Sequence, residues 1–240
     1  MNVDGSFSFS LHRYYHGMER SQIQSSADES SQWILLADAL GLSTAIETVV
    51  SRRPKGATPN TILGPFFREN APNKKSGDTI SVDGIGDPLS IALRIIDLDG
   101  LPVAGAQVDV WQANGLGRFE NQEPDNQPDM NLRGRFASDA TGHVLIRTMR
   151  PGSYVLPDSG PVADLLTSLG LGLRRPAHIQ FRVRAPGFMT LTTHVFDSGD
   201  PVVDADPLFC VQPDLMADFD AATVHVVFTL ARAHPGEEDK

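Results

Sequence analysis

From residue 89 onward one pattern repeats: a short run of alternating apolar and polar residues, then a break rich in Gly and Pro. The stretch "LSIALRIIDLDGLPVAGAQVDVWQAN" holds two such runs, Leu89–Asp97 and Ala106–Gln112, around a turn at Asp99-Gly100. It reads as a β-hairpin-like pair. Further strands are expected at Gly134–Ala137, His143–Thr148, His178–Arg184, Met189–Phe196 and Thr223–Leu230. A period of two sends successive side chains to opposite faces, so each strand offers one face to a core. Many short strands at this spacing close into a sandwich or barrel. The alternation points Trp111 into that core, so its expected role is structural.

Only short helices interrupt this texture. In "SSQWILLADALGLSTAIETVVSRR", Ile34, Leu35, Leu40, Leu42, Ile46, Val49 and Val50 fit a helical period. Ser30 or Ser31 is the expected cap, and Gly41 divides the stretch into two helices. A third is expected at Val162–Leu169, where "DSGPVADLLTSLG" supplies a cap, an early Pro and a closing Gly. The expected organisation is a mobile arm over 1–29, a helical segment and surface linker over 30–79, a β-sandwich over 80–232 and a solvated tail over 233–240. Within the linker, "ILGPFF" is an apolar anchor.

Composition excludes several classes of partner. The formal net charge is −10, which repels phosphate backbones and makes nucleic acid an unsuitable partner. No apolar run approaches the roughly 20 residues of a membrane helix, and the first 20 residues lack the pattern of a secretory signal. Cys210 is the single cysteine, so neither an intrachain disulfide nor a thiolate metal cluster is expected. The expected location is the cytoplasm. The acidic stretch "ENQEPDNQPDMN" lacks the glycine spacing of a calcium loop.

Five stretches then succeed one another in order: "GLPVAGAQVDVWQANGLGRF", "MNLRGRFASDATGHVLIRTMRPGSY", "SGPVADLLTSLG", "RRPAHIQFRVRAPGFMTLTTHVF" and "GDPVVDADPLF". Together they resemble the intradiol ring-cleavage dioxygenases, non-haem iron(III) enzymes that open catechols between their two hydroxyls. The upstream "ILLADALGLSTAIETVVSRRPKGATPNTILGPF" is similar to the hydroxyquinol 1,2-dioxygenase branch. The resemblance implies a mostly β protein: a two-sheet β-sandwich of the intradiol dioxygenase type with a short helical N-terminal segment. It also implies a homodimer through that segment, although the helical region is shorter than the family carries.

The resemblance implies two tyrosinates and two histidines on the iron, anionic oxygen donors suiting a hard cation. The second tyrosine matches Tyr154 in "PGSYVLPDSGP", and the first histidine matches His178 in "RPAH". The second histidine would stand two residues on, on the same strand face; Gln180 stands there. The first tyrosine would stand in "WQANGLGRF", where Phe119 takes its place. Tyr14 and Tyr15 lie far from these motifs. Glu120 points away if its stretch is extended. His194 is a place where the hydroxyquinol branch often has His without using it as a ligand. With one ligand of each kind replaced, no cofactor is expected; iron(III) on Tyr154 and His178 is the alternative.

The resemblance makes Arg175 a group that approaches substrate and stabilises developing negative charge. It also places Leu36, Asp38, Ile62, Gly64, Pro65, Phe119, His194, Phe209 and Cys210 around the substrate pocket, with core packing the plainer role for Leu36. Arg133, Arg135, Asp204 and Asp206 read as structural ion pairs and turn contacts. The favoured reading is a repurposed enzyme that binds a phenolic, quinone-like or polyketide-like molecule and catalyses a non-oxidative step. There Tyr154 and His178 serve as proton donor or acceptor, with Arg175 and Gln180 orienting oxygens. The alternatives are iron(III)-dependent ring cleavage with a reduced ligand set, and a ligand-binding homologue without catalysis.

Overall fold

A computed structural model describes residues 29–51 and 53–233. Residues 1–28 of the arm expected over 1–29, and residues 234–240 of the tail expected over 233–240, lie outside the described residues. Helices α1 (Glu29–Ala39) and α2 (Leu42–Ser51) come first. They meet at 74° around Gly41, whose φ of 69° is open to glycine without strain. No single helix among the described residues is long and apolar enough to cross a membrane.

The strands are β1 (Pro88–Asp97), β2 (Gln107–Gln112), β3 (Arg133–Ala137), β4 (His143–Met149), β5 (Tyr154–Val155), β6 (Arg174–Arg175), β7 (His178–Arg184), β8 (Leu191–Asp197), β9 (Met216–Ala217) and β10 (Thr223–Leu230), with helix α3 (Pro161–Ser168) between β5 and β6. One sheet has the order β10-β1-β4, the second β3-β2-β7-β8-β9, and β5 pairs with β6 in a separate ribbon. The protein is therefore mostly β. The inner residues of the first sheet, among them Ile91, Leu93, Ile146, Val224 and Phe228, share one core with Val108, Val110, Ile179, Phe181 and Val183 of the second. Phe181 meets Phe228 edge-on across the layers, with ring centroids 5.2 Å apart.

Three readings of the chain need correction. First, β1 and β2 do not form a hairpin: β1 pairs with β10 and β4, and β2 with β3 and β7. The turn itself is present, for Asp97 Oδ1 accepts the N–H groups of Asp99 and Leu101 at 3.0 Å each. Beyond the turn the chain crosses from one sheet to the other. Second, Trp111 is buried but faces away from the sandwich core. It lies on the strand face opposite Val108 and Val110, in a second apolar cluster, 4.9 Å from Phe67. Third, the segment from 54 to 80 is more than a surface linker, because it buries Thr61, Phe67, Ala71 and Ile80. Ile80 joins the sandwich core, while Thr61 at His194 and Phe67 at Trp111, together with Phe119, Tyr154, Val203 and Leu208, cover the outer face of the five-stranded sheet, so β2, β7 and β8 are buried on both faces.

Candidate functional site

The second cluster is where the chemistry-bearing residues meet. On β7 the period of two sends Ile179 and Phe181 into the sandwich and His178 and Gln180 to the outer face. The register with β8 sets Gln180 opposite His194 and His178 opposite Phe196. The β5–β6 ribbon sets Tyr154 opposite Arg175. Phe119 arrives on a loop held to the ribbon's entry, where Gly152 N–H donates to Asn114 O at 2.9 Å. Its ring stacks on Phe66 with centroids 4.1 Å apart and meets Tyr154 edge-on at 5.9 Å. The Tyr154 and His178 rings lie 5.7 Å apart, and those of His178 and His194 4.9 Å apart. Tyr154, Arg175, His178, Gln180, His194 and Phe119 are all buried.

Charge at the site is organised by one ion pair. Arg175 Nε donates to Asp206 Oδ1 at 2.8 Å and Nη2 to Oδ2 at 3.1 Å, both side chains being 2% exposed. Its Nη1 donates to Tyr154 Oη at 3.4 Å. Burial opposes charge on both partners, but each holds the other ionised: Asp206 keeps Arg175 well above its ordinary value, and Arg175 keeps Asp206 below its own. Burial pushes the Tyr154 phenol up, against the pull of Arg175. Burial, aided by Arg175, lowers His178 to about 3. Burial, then His178 and Arg175, lower His194 well below its ordinary value. Both imidazoles are therefore neutral, with one N–H and one lone pair each.

Hydrogen bonds decide which nitrogen carries the proton. His178 Nδ1 donates to Pro176 O at 2.7 Å, leaving the lone pair on Nε2. His194 Nδ1 lies 2.5 Å from Thr61 Oγ1, and its Nε2 lies 2.9 Å from Gln180 Nε2. The buried Gln180 Oε1 has no hydrogen-bond partner.

The other expected pocket residues divide between this cluster and its surroundings. Gly64 abuts Gln180: a Cβ there would stand 3.2 Å from Gln180 Nε2. Ile62 packs against the second cluster and Cys210 is buried within it. The Cys210 thiol is 3.6 Å from Thr44 Oγ1, and burial raises its pKa. Asp38 is buried. Leu36 packs with Ala39, Val162 and Leu166 between the helices. Pro65 is exposed. Phe209 is exposed, with its ring against Gly41.

Glu120 lies outside the site and inside a buried pair. It opens a 3₁₀ turn rather than an extended stretch, and takes Arg133 Nε at 2.6 Å, Arg133 Nη2 at 2.7 Å and Arg68 Nη1 at 2.8 Å. Arg135 pairs with Asp109 at 2.5 Å. One residue at the site carries no signal in the sequence, and one is expected in an ion pair without its partner being legible. Thr61 sits in a stretch whose composition reads as linker, where a lone threonine is unremarked. Asp206 has the local pattern of a turn residue; its partner Arg175 is 31 residues away in sequence.

An iron(III) ion prefers oxygen and nitrogen donors. Tyr154 Oη, His178 Nε2 and the unpartnered Gln180 Oε1 supply that set, and the orphaned oxygen is what a cation would satisfy. Phe119 contributes nothing, so the set holds one phenol where two would neutralise more charge. Among the described residues no group of three His, Cys, Asp or Glu side chains is placed to hold a metal.

The comparisons bear directly on this donor set. A family model described as Dioxygenase matches residues 62–233. A hydroxyquinol 1,2-dioxygenase of Rhizobium sp. (strain MTP-10005) is 45% identical over 188 residues, 78% of this chain, and the chain spans 64% of that relative's length. A 6-chlorohydroxyquinol 1,2-dioxygenase of Cupriavidus pinatubonensis is 38% identical over 192 residues, 80% of this chain and 69% of that relative. The solved structure of a hydroxyquinol 1,2-dioxygenase from Pseudomonas putida DLL-E4 superposes with a TM-score of 0.81 at 31% identity, covering 96% of this chain and 85% of that one. These relatives are 1,2-dioxygenases of the kind whose resemblance implies iron(III), which overturns the expectation of no cofactor. The replacements at Phe119 and Gln180 are a poor guide to the cofactor, because Tyr154 and His178 are retained and Gln180 still offers an oxygen. From the motifs, the two-sheet architecture and these matches together, the chain belongs to the intradiol ring-cleavage dioxygenase family.

Proposed function

We propose that the chain catalyses iron(III)-dependent intradiol cleavage of a small catechol- or hydroxyquinol-like diol, using a reduced ligand set. The observation that carries this reading is the meeting of Tyr154 and His178 beside Arg175, with the buried, unpartnered Gln180 oxygen on the same strand as His178. Tyr154 and His178 would hold the iron, with Gln180 as a third donor. Bound there, iron(III) supplies Lewis acidity to a diol and a path for its electrons to dioxygen.

The chain's own residues do the rest. Arg175, kept cationic by Asp206, stands beside the phenol and stabilises negative charge on a diol oxygen. The buried His178 stays neutral, so its Nε2 lone pair is available at neutral pH. Phe119 and Phe66 form an apolar wall against Tyr154 that suits an aromatic ring. A homodimer and a cytoplasmic location form part of the same proposal.

Oxygen consumption is the test. Adding hydroxyquinol or catechol to iron-reconstituted protein should consume about one O2 per diol and yield the ring-opened dicarboxylate. Phe119, which has no donor atom, favours a second reading: a non-oxidative rearrangement of the same ligand with Tyr154 and His178 as proton donor and acceptor. Product formation without oxygen consumption would replace the first reading by the second.

A further inference from the structure

The turn that carries Asp206 is gripped from outside the site. Leu208 and Cys210 are buried in the cluster that contains Tyr154 and Phe119, and between them Phe209 turns outward, 58% exposed. Its φ is 55°, in the left-handed region, where a bulky residue is strained and persists only if its surroundings impose the conformation. Two sets of contacts impose it. On the inner side, Phe209 N–H donates to Asp206 O at 3.1 Å and Cys210 N–H to Asp206 Oδ2 at 3.0 Å. On the outer side, Thr44 of α2 donates its hydroxyl to Leu208 O at 2.9 Å and lies 3.6 Å from Cys210 Sγ. The Phe209 ring fills the hollow at the α1–α2 elbow, where a Cβ on Gly41 would stand 3.2 Å from it. The Asp206 carboxylate in turn takes Arg175 Nε at 2.8 Å and Nη2 at 3.1 Å. Direct contacts thus run from the helical elbow, through one strained turn, to the guanidinium beside Tyr154.

We infer that the α1–α2 elbow is a positioning device for Arg175: Gly41 and Thr44 hold Phe209 and Leu208, which fix the turn, and the turn fixes Asp206. Its catalytic consequence rests on the function proposed above; the positioning itself does not. Thr44 and Phe209 are positioning residues, because they act on Arg175 only through Asp206. Phe209 therefore serves the site from the helix side, with its ring against Gly41 rather than against a substrate. Arg175 is the group that stabilises charge on a diol oxygen, and a charge-stabilising group loses effect steeply when displaced: a 1 Å misplacement costs up to about 100-fold in rate.

The experiment has two arms, both on the full chain. Phe209→Gly removes the ring while leaving the left-handed turn unstrained, and Thr44→Val removes the hydroxyl. The first arm follows solvent exchange of the arginine Nε–H groups by ¹H–¹⁵N NMR on metal-free protein, with the Arg175 signal assigned by its loss in Arg175→Lys. Exchange at Arg175 should be about tenfold or more faster in each variant. Arg133 Nε–H, buried against Glu120 in a separate ion pair, should keep its wild-type rate. Thr44→Ser, which retains the hydroxyl, should match wild type at both. An unchanged Arg175 rate in either variant would overturn the positioning device, as would an equal rise at Arg133, which would mean general loosening. The second arm measures turnover of hydroxyquinol by iron-reconstituted protein. Each variant should lower kcat about tenfold or more, with KM held within about twofold, the mark of an interaction made in the transition state. A raised KM with kcat unchanged would make these residues substrate contacts and overturn the proposal. Wild-type protein without ring cleavage would overturn the function proposed above, while the exchange rates would still decide the positioning.

Discussion

Arg175 and Asp206 form a two-pronged ion pair, 2.8 and 3.1 Å long, with both side chains 2% exposed. The carboxylate also accepts the Cys210 N–H at 3.0 Å, so the pair ties β6 to the turn that carries Phe209 and Cys210. Removing one partner from a buried pair strands the other charge, at a cost of about 3–5 kcal/mol. Asp206→Asn should therefore lower the melting temperature by roughly 10 °C and reduce turnover by freeing the guanidinium from its position. A wild-type melting curve would show that the pair contributes little.

Acid sensitivity is set by the histidines. His178 titrates at about 3 in the folded chain because it is buried near Arg175, against about 6.5 in an unfolded one. The unfolded state binds more protons between these values, so stability is complete above pH ~6.5 and falls as pH drops toward 3. The slope reaches about 1.4 kcal/mol per pH unit for each such group, and His194 shifts in the same direction. Denaturant titrations of metal-free protein across this range should show the loss, and His178→Phe should make it shallower. An unchanged slope would count against neutral burial of His178.

Restoring donors should strengthen the site. Phe119→Tyr combined with Gln180→His would return a second phenol and a second imidazole, the set the family resemblance implies. Because Phe119 already packs against Tyr154, the double variant should bind iron at least about tenfold more tightly, as outer donors alone contribute that much, and absorb more strongly in the visible. Titration with iron(III), monitored by absorbance, reads both.

Gly117 holds the Phe119 loop against β5. Its φ is 73°, and a Cβ there would collide with the Ser153 carbonyl. Gly105 has a φ of 69° with nothing within reach of an added Cβ. Gly105→Ala should thus cost about 1 kcal/mol, the penalty of a left-handed alanine alone, and Gly117→Ala clearly more. Comparison of the two unfolding free energies isolates the collision; equal costs would mean that the loop shifts freely.

The strands are legible in the sequence because alternation is local: β7 and β10 have the expected ends, and β1 begins one residue early. Partnership is not. The Asp99-Gly100 turn is written in the sequence, yet β1 takes its partners from β4 and β10, far along the chain. Trp111 shows the same limit. Alternation separates two faces without saying which one meets the other sheet, and here both faces are buried because Phe67 and loops from later in the chain cover the outer one. At the site, Tyr154, His178, Gln180 and Phe119 stand out through their motifs. Thr61 and Asp206 act only through partners 133 and 31 residues away, and no local pattern marks such contacts.

The most direct test of the account is the iron content and colour of the purified chain after reconstitution with iron(III). The account predicts about one iron per chain, a visible tyrosinate-to-iron band that Tyr154→Phe abolishes, and a band shift on adding hydroxyquinol or catechol. A colourless protein that retains no iron under these conditions would contradict it.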